Sequence, residues 1–139
     1  GVGGGITGGD RSVQLAIEAE NQGAFGMVVN APISDEVISR IKQVVDIPVL
    51  ATIVSERMDI RSRMEAGADF LNVSGAAATP QIVRSIRMQF PDVPILATGG
   101  PNDETILKTI RAGANAITYS PPSNGELFAD IMQKYRGKL

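Results

Sequence analysis

A seven-residue phrase returns at a fixed interval in this chain. Asp46-Ile47-Pro48-Val49-Leu50-Ala51-Thr52 reappears as Asp92-Val93-Pro94-Ile95-Leu96-Ala97-Thr98, an offset of 46. A second phrase, Gly-Ala ahead of a short apolar run, occurs at Gly23-Ala24, Gly67-Ala68 and Gly113-Ala114, at offsets of 44 and 46. The two phrases alternate. Each period therefore holds two strands, or about 23 residues per strand-plus-helix unit, which suits βα units joined by short loops.

The residues between the phrases agree. Runs at 26–30, 48–53, 70–74, 94–98 and 116–119 are apolar on both faces, as buried parallel strands are. Helical periodicity separates them. Val37, Ile38, Ile41, Val44 and Val45 form one stripe, with Ser34 placed to cap it and Asp35 and Glu36 in its first turn. Thr79-Pro80 reads as an N-cap with proline at the first helical position, followed by Ile82, Val83, Ile86 and Phe90. Asn102 or Asp103 can cap a helix carrying Ile106, Leu107 and Ile110. The last helix is expected to bury Leu127, Phe128, Ile131, Met132 and Tyr135. Each Gly-Ala falls at a helix end, where glycine accepts the left-handed conformation.

Such alternation means a parallel sheet, either closed as a TIM-type (β/α) barrel or open and flavodoxin-like. The two-unit repeat favours the barrel, because odd and even strands contribute alternate layers to its interior. A complete eight-unit barrel takes at least about 200 residues. Five strands and a glycine-rich stretch, Gly1 to Gly9, fit in 139 residues. We therefore expect a single α/β domain over residues 1–139, an incomplete barrel lacking its first strands. The Gly3-x-Gly5-x-x-Gly8 match to a dinucleotide fingerprint is read as the end of an earlier strand and its loop, because no strand precedes it.

Composition narrows the chemistry. There is no His, Cys or Trp, which removes Ser-His and Cys-His nucleophiles, thiol redox chemistry and the usual zinc sites. A net charge of −2 with scattered Lys and Arg, four Phe and two Tyr argues against direct nucleic-acid binding through a basic patch. No apolar run approaches the roughly 18–20 residues that a membrane span needs, and no signal peptide is visible. The expected location is the cytoplasm. No metal site and no cofactor is called for by these residues, and a homo-oligomer is expected.

In barrels, function collects on the loops after the C-terminal ends of the strands. Those positions hold Asn30, Ser55, Glu56, Asn72, Ser74, Thr98, Gly99, Gly100, Tyr119 and Ser120. Glu56 is the acid-base candidate, with Arg57 beside it, although both also suit a solvated helix start. Asn72 is the second catalytic candidate. Gly99 and Gly100 expose backbone N–H groups where no Cβ blocks a phosphate. The last loop, Ser120-Pro121-Pro122-Ser123-Asn124-Gly125, leads to a helix N-terminus that favours an anion. Gly99, Gly100, Ser120, Asn124 and Gly125 are thus the phosphate-binding candidates, with a small phosphorylated molecule as ligand. Lys42, Lys108, Lys134 and Lys138 all fall in helices or the tail, so none is placed as a Schiff-base amine.

The order of segments resembles the 2-keto-3-deoxy-6-phosphogluconate aldolase group of phosphate-binding barrels from its third strand onward. Gly1-Val2-Gly3-Gly4-Gly5 resembles that group's third-strand motif, and Gly23-Ala24-Phe25-Gly26-Met27-Val28-Val29-Asn30-Ala31-Pro32 its fourth strand and loop. Ile47-Pro48-Val49-Leu50-Ala51 resembles the fifth, and Thr98-Gly99-Gly100 the phosphate-holding seventh. The resemblance implies an aldolase-like lyase or isomerase acting on a phosphorylated sugar or keto acid. One departure bears on mechanism: Phe70-Leu71-Asn72-Val73-Ser74 has Asn72 near the place of the group's imine-forming lysine. A second similarity, from Thr79-Pro80 through Gly99-Gly100 and Ala112-Gly113-Ala114 to Thr118-Tyr119-Ser120, is to glycerol-uptake operon antiterminators. It implies the alternative of a non-catalytic sensor of a phosphorylated ligand.

Overall fold

A computed structural model of the chain describes residues 2–3, 8–30, 33–100, 102–119 and 124–137. Six strands alternate with six α-helices: β1 (Val2–Gly3), α1 (Gly8–Asn21), β2 (Met27–Asn30), α2 (Asp35–Val44), β3 (Val49–Ile53), α3 (Ile60–Glu65), β4 (Phe70–Val73), α4 (Thr79–Gln89), β5 (Ile95–Thr98), α5 (Asp103–Ala112), β6 (Ala116–Thr118) and α6 (Asn124–Gly137). The five strands expected from the repeat are present, and the glycine-rich start adds β1.

All neighbouring strands are parallel, and their order in the sheet is their order in the chain. That order separates the two architectures left open by the sequence. A flavodoxin-like sheet reverses direction at a switch point and carries helices on both faces. A sheet that never reverses, with the usual right-handed crossovers, carries its helices on one face and curls into a barrel. The chain is a partial (β/α) barrel.

Burial follows the strand alternation. Met27, Val29, Val49, Ala51, Ile53, Leu71, Val73, Ile95 and Ala97 face the helices and are buried. Ala16, Ile38 and Ile41 close over the β2–β3 end of this layer, and Ile82, Val83 and Ile86 over the β4–β5 end. The opposite parity, Val28, Leu50, Thr52, Phe70, Asn72, Leu96 and Thr98, forms the inner face of the barrel.

Local chemistry sets the helix limits. Ser34 caps α2 by accepting from the Val37 N–H at 3.3 Å, and Asn102 caps α5 in a reciprocal box with Thr105. Gly113 ends α5 at φ 119°, and a Cβ there would lie 2.6 Å from Arg87 Cγ, so both conformation and packing require glycine. Gly23 and Gly67 share its positive φ.

The repeat also encodes a latch. The residue after each of the last two Gly-Ala pairs accepts the first N–H of the preceding strand: Asp69 Oδ2 from Val49 at 2.9 Å, and Asn115 Oδ1 from Ile95 at 2.9 Å. A cation from the helix that precedes that strand, α2 or α4, completes each latch. Lys42 Nζ lies 2.8 Å from Asp69, and Arg87 donates to Asn115 and to the carbonyls of Gly113, Phe90, Pro91 and Val93.

Two expectations are corrected. Thr79 is the first residue of α4, not its cap. A short 3₁₀ turn over Ala76–Ala78 precedes it, and its hydroxyl accepts from the Gly75 N–H at 2.9 Å. The apolar stripe of α6 is exposed: Leu127 at 45%, Phe128 at 66%, and Ile131 and Tyr135 at 61%, with Met132 half-buried. A barrel helix packs over its own strand and the next one, and no strand lies beyond β6 among the described residues.

Candidate functional site

The strand register stacks the inner face in layers. Val28, Leu50 and Phe70 form an apolar layer toward the strand N-termini. Above it, Thr52, Asn72, Leu96 and Ala116 are in register, and Asn30 stands level with Thr52, one step past the Val29–Ala51 pair. Thr98 and Thr118 pair in the next layer, at the C-terminal strand ends. The wall thus passes from apolar at the bottom to neutral hydrogen-bonding groups at the top.

Asn72 and Thr52 are the best-held of these groups. Asn72 Nδ2 donates to Thr52 Oγ1 at 3.1 Å, and Thr52 is 7% exposed whereas Asn72 is half-buried. The bond fixes the carboxamide orientation and leaves its oxygen and second N–H facing the interior. Thr52 and Thr118 were missed by the sequence reasoning, which in these two strands took the later positions Ser55, Glu56, Tyr119 and Ser120 instead. The alternation within Val49–Ile53 already places Thr52 inward.

The phosphate candidates divide. The Gly99 N–H donates to Thr118 O at 2.8 Å, which continues the β5–β6 ladder. Its donor is therefore engaged, and its lack of a Cβ is explained by Ile117 and Ile106, which close over it. Gly100 has φ 85°, and a Cβ there would lie 2.5 Å from Thr105 Oγ1. It makes the turn from β5 into the capped α5. The same Gly99–Thr118 bond sets the start of the loop after β5 beside the C-terminal end of β6. Ser120 lies outside the described residues. Asn124 and Gly125 are the first two residues of α6, both exposed, so that helix starts slightly earlier than the sequence suggested.

The remaining candidates are not gathered at this face in the same way. Ser74 follows β4, is exposed, and its N–H donates to Ile53 O at 2.9 Å. Glu56 is exposed in the β3–α3 loop and accepts from Gln81 Nε2 of α4 at 3.3 Å, a contact that draws it toward the helical layer. Ser55 Oγ accepts from the Arg57 N–H at 3.2 Å within that loop. Among the described residues, no group of three acidic, His or Cys side chains could hold a metal ion. No helix among them is long and apolar enough to cross a membrane.

A one-directional parallel sheet with helices on one face and hydrogen-bonding groups at its C-terminal strand ends defines a TIM-type α/β barrel. Comparison with known proteins agrees at that level. The chain is 27% identical over 117 residues to a thiamine-phosphate synthase of Geobacillus thermodenitrificans, a match covering 76% of this chain and 51% of that protein. Its fold resembles mandelate oxidase with 3,3-difluoro-2-hydroxy-3-phenylpropionic acid, at TM-score 0.61 and 19% identity, over 80% of this chain and 46% of the other. A mandelate oxidase variant holding a monooxide FMN adduct matches at TM-score 0.62 and 22% identity, over 80% and 45%. No protein-family model matches the chain. The chain spans about half the length of these proteins. The matches carry the barrel class and do not single out the aldolase group.

Proposed function

We propose that this chain is most of a phosphate-binding barrel that acts on a small phosphorylated metabolite, as a lyase or isomerase without an imine-forming lysine. The observation that supports it is the juxtaposition at β5 and β6. The Thr98–Thr118 pairing and the Gly99–Thr118 hydrogen bond set the Gly100 turn beside the C-terminal end of β6, the strand that precedes α6 in the chain. Free N–H groups at such a helix start, with the helix dipole behind them, favour an anion. The thiamine-phosphate synthase likeness is in keeping with a phosphorylated ligand. A homo-oligomer in the cytoplasm completes the reading, with the barrel closed by strands supplied from outside these 139 residues.

A second reading is favoured by one feature of the inner face. Among its described positions none is ionisable, which suits a sensor that binds a phosphorylated ligand without turning it over. Both readings need the same anion site. Gly125→Asp tests it, because a carboxylate in the first helical turn stabilises the helix while repelling phosphate. Titration of inorganic phosphate into the native chain should give saturable heat, weakened at least about ten-fold in the variant, since a charge-assisted bond is worth roughly 1.5–3 kcal/mol. Equal affinities would move the anion elsewhere.

A further inference from the structure

We infer that the Asn72–Thr52 pair determines specificity and selects a ligand whose non-phosphate end is neutral and hydroxyl- or carbonyl-bearing, not a carboxylate or an ammonium. The inference rests on the inner face being the ligand face, as the proposed function has it, and it goes on to the substrate class.

Three observations carry it. First, the row of Asn30, Thr52 and Asn72 offers two carboxamides and one hydroxyl, each able to donate and accept. Second, Asn72 is already oriented by its 3.1 Å bond to Thr52, so a ligand oxygen meets a fixed donor and acceptor at little ordering cost. Third, the layer directly beneath is Val28, Leu50 and Phe70, with Leu96 and Ala116 alongside. These groups provide no counter-charge. A carboxylate pushed into this wall would lose water without gaining a cation, whereas a hydroxyl would exchange water for Asn72.

The contrast is sharp because phosphate and body are read at different places. On the proposed function the anion is held at the C-terminal ends of β5 and β6, and the body of the ligand lies against the β3–β4 wall. A neutral body with a phosphate tail satisfies both. A phosphorylated acid brings a second negative charge to a wall that has nothing to pair with it.

Two probes share one three-carbon skeleton and differ only at the end remote from phosphate: glycerol 3-phosphate carries a hydroxymethyl group, and 3-phosphoglycerate a carboxylate. Both should be titrated into the native ¹⁵N-labelled chain while the side-chain carboxamide of Asn72 and the amide of Gly100 are followed. Glycerol 3-phosphate is expected to shift the Asn72 carboxamide and to bind at least about ten-fold tighter than 3-phosphoglycerate. Asn72→Leu should erase that preference, and Thr52→Val, which frees the carboxamide to rotate, should weaken it. Equal binding, tighter binding of the acid, or an unmoved Asn72 resonance with both probes would overturn the inference. Failure of the phosphate reading would look different. Asn72 would still respond to glycerol 3-phosphate, but inorganic phosphate would neither shift Gly100 nor compete.

Discussion

Asp69 and Asn115 occupy equivalent places in the repeat and do the same work with different charge. Each accepts the N–H that opens the preceding strand, and each is tied to a cation from the helix before that strand. Asp69→Ala would leave the Val49 N–H without its acceptor and Lys42 without its counter-ion. We expect a loss of about 1–3 kcal/mol, read as a lower denaturant midpoint at unchanged slope. Asp69→Asn keeps the acceptor and should lose less. The Gly-Ala phrase was legible as a helix stop because left-handed glycine is a local property. The acceptor role of the residue after it was not legible, because its partner lies 20 positions away in the chain. Thr52 was missed for a related reason: strand alternation points it inward, but only Asn72 on the next strand shows what it meets. At the site, Gly99 looked like a phosphate donor in the sequence. The ladder takes its N–H, a contact that depends on how β6 registers against β5.

Among the elements, α4 and α6 have equally convincing apolar stripes and opposite fates. Ile82 in α4 is 2% exposed beneath the β4–β5 layer, whereas Ile131 in α6 is 61% exposed. Periodicity reports that a helix has a face to bury and does not report whether a surface exists to receive it. Ile82→Ala should therefore cost about 2–5 kcal/mol through the cavity it opens. Ile131→Ala should stay within about 0.5 kcal/mol in the chain alone. Thermal unfolding of the two variants reads the difference directly, and equal losses would mean that α6 is docked. The α5 cap gives an intermediate case. Asn102→Ala removes the acceptor for the Thr105 N–H, and about 1 kcal/mol should go with it. Caps and repeats made these helices readable in advance, and strand order alone separated the barrel from the open sheet.

For the whole molecule, the surface left uncovered dictates the last expectation. The sheet ends at β1 and β6, so both flanks present unpaired backbone groups in the described residues. The bottom of its inner face is apolar: Leu50, Phe70, Leu96, Pro48 and Pro94 line a cavity of about 380 Å³ together with Phe25, which is 97% exposed. Phe25 holds the place in the first Gly-Ala phrase that Asp69 and Asn115 hold in the later ones, so the latch is replaced there by an aromatic ring in water. Contiguous apolar surface of this kind is normally covered by another strand, another copy or another chain. For these 139 residues in isolation we expect concentration-dependent self-association in sedimentation velocity. Phe25→Glu is the discriminating variant. A side chain this exposed contributes nothing to the monomer's core, so its replacement should leave the unfolding midpoint within about 0.5 kcal/mol of native. It should also shift the sedimentation profile toward monomer, because a carboxylate at the interface would have to be desolvated. A native chain that sediments as a monodisperse monomer across the concentration range would show that the inner face closes on itself. A Phe25→Glu protein that associates as strongly as native would place the contact at the strand edges or on α6 instead.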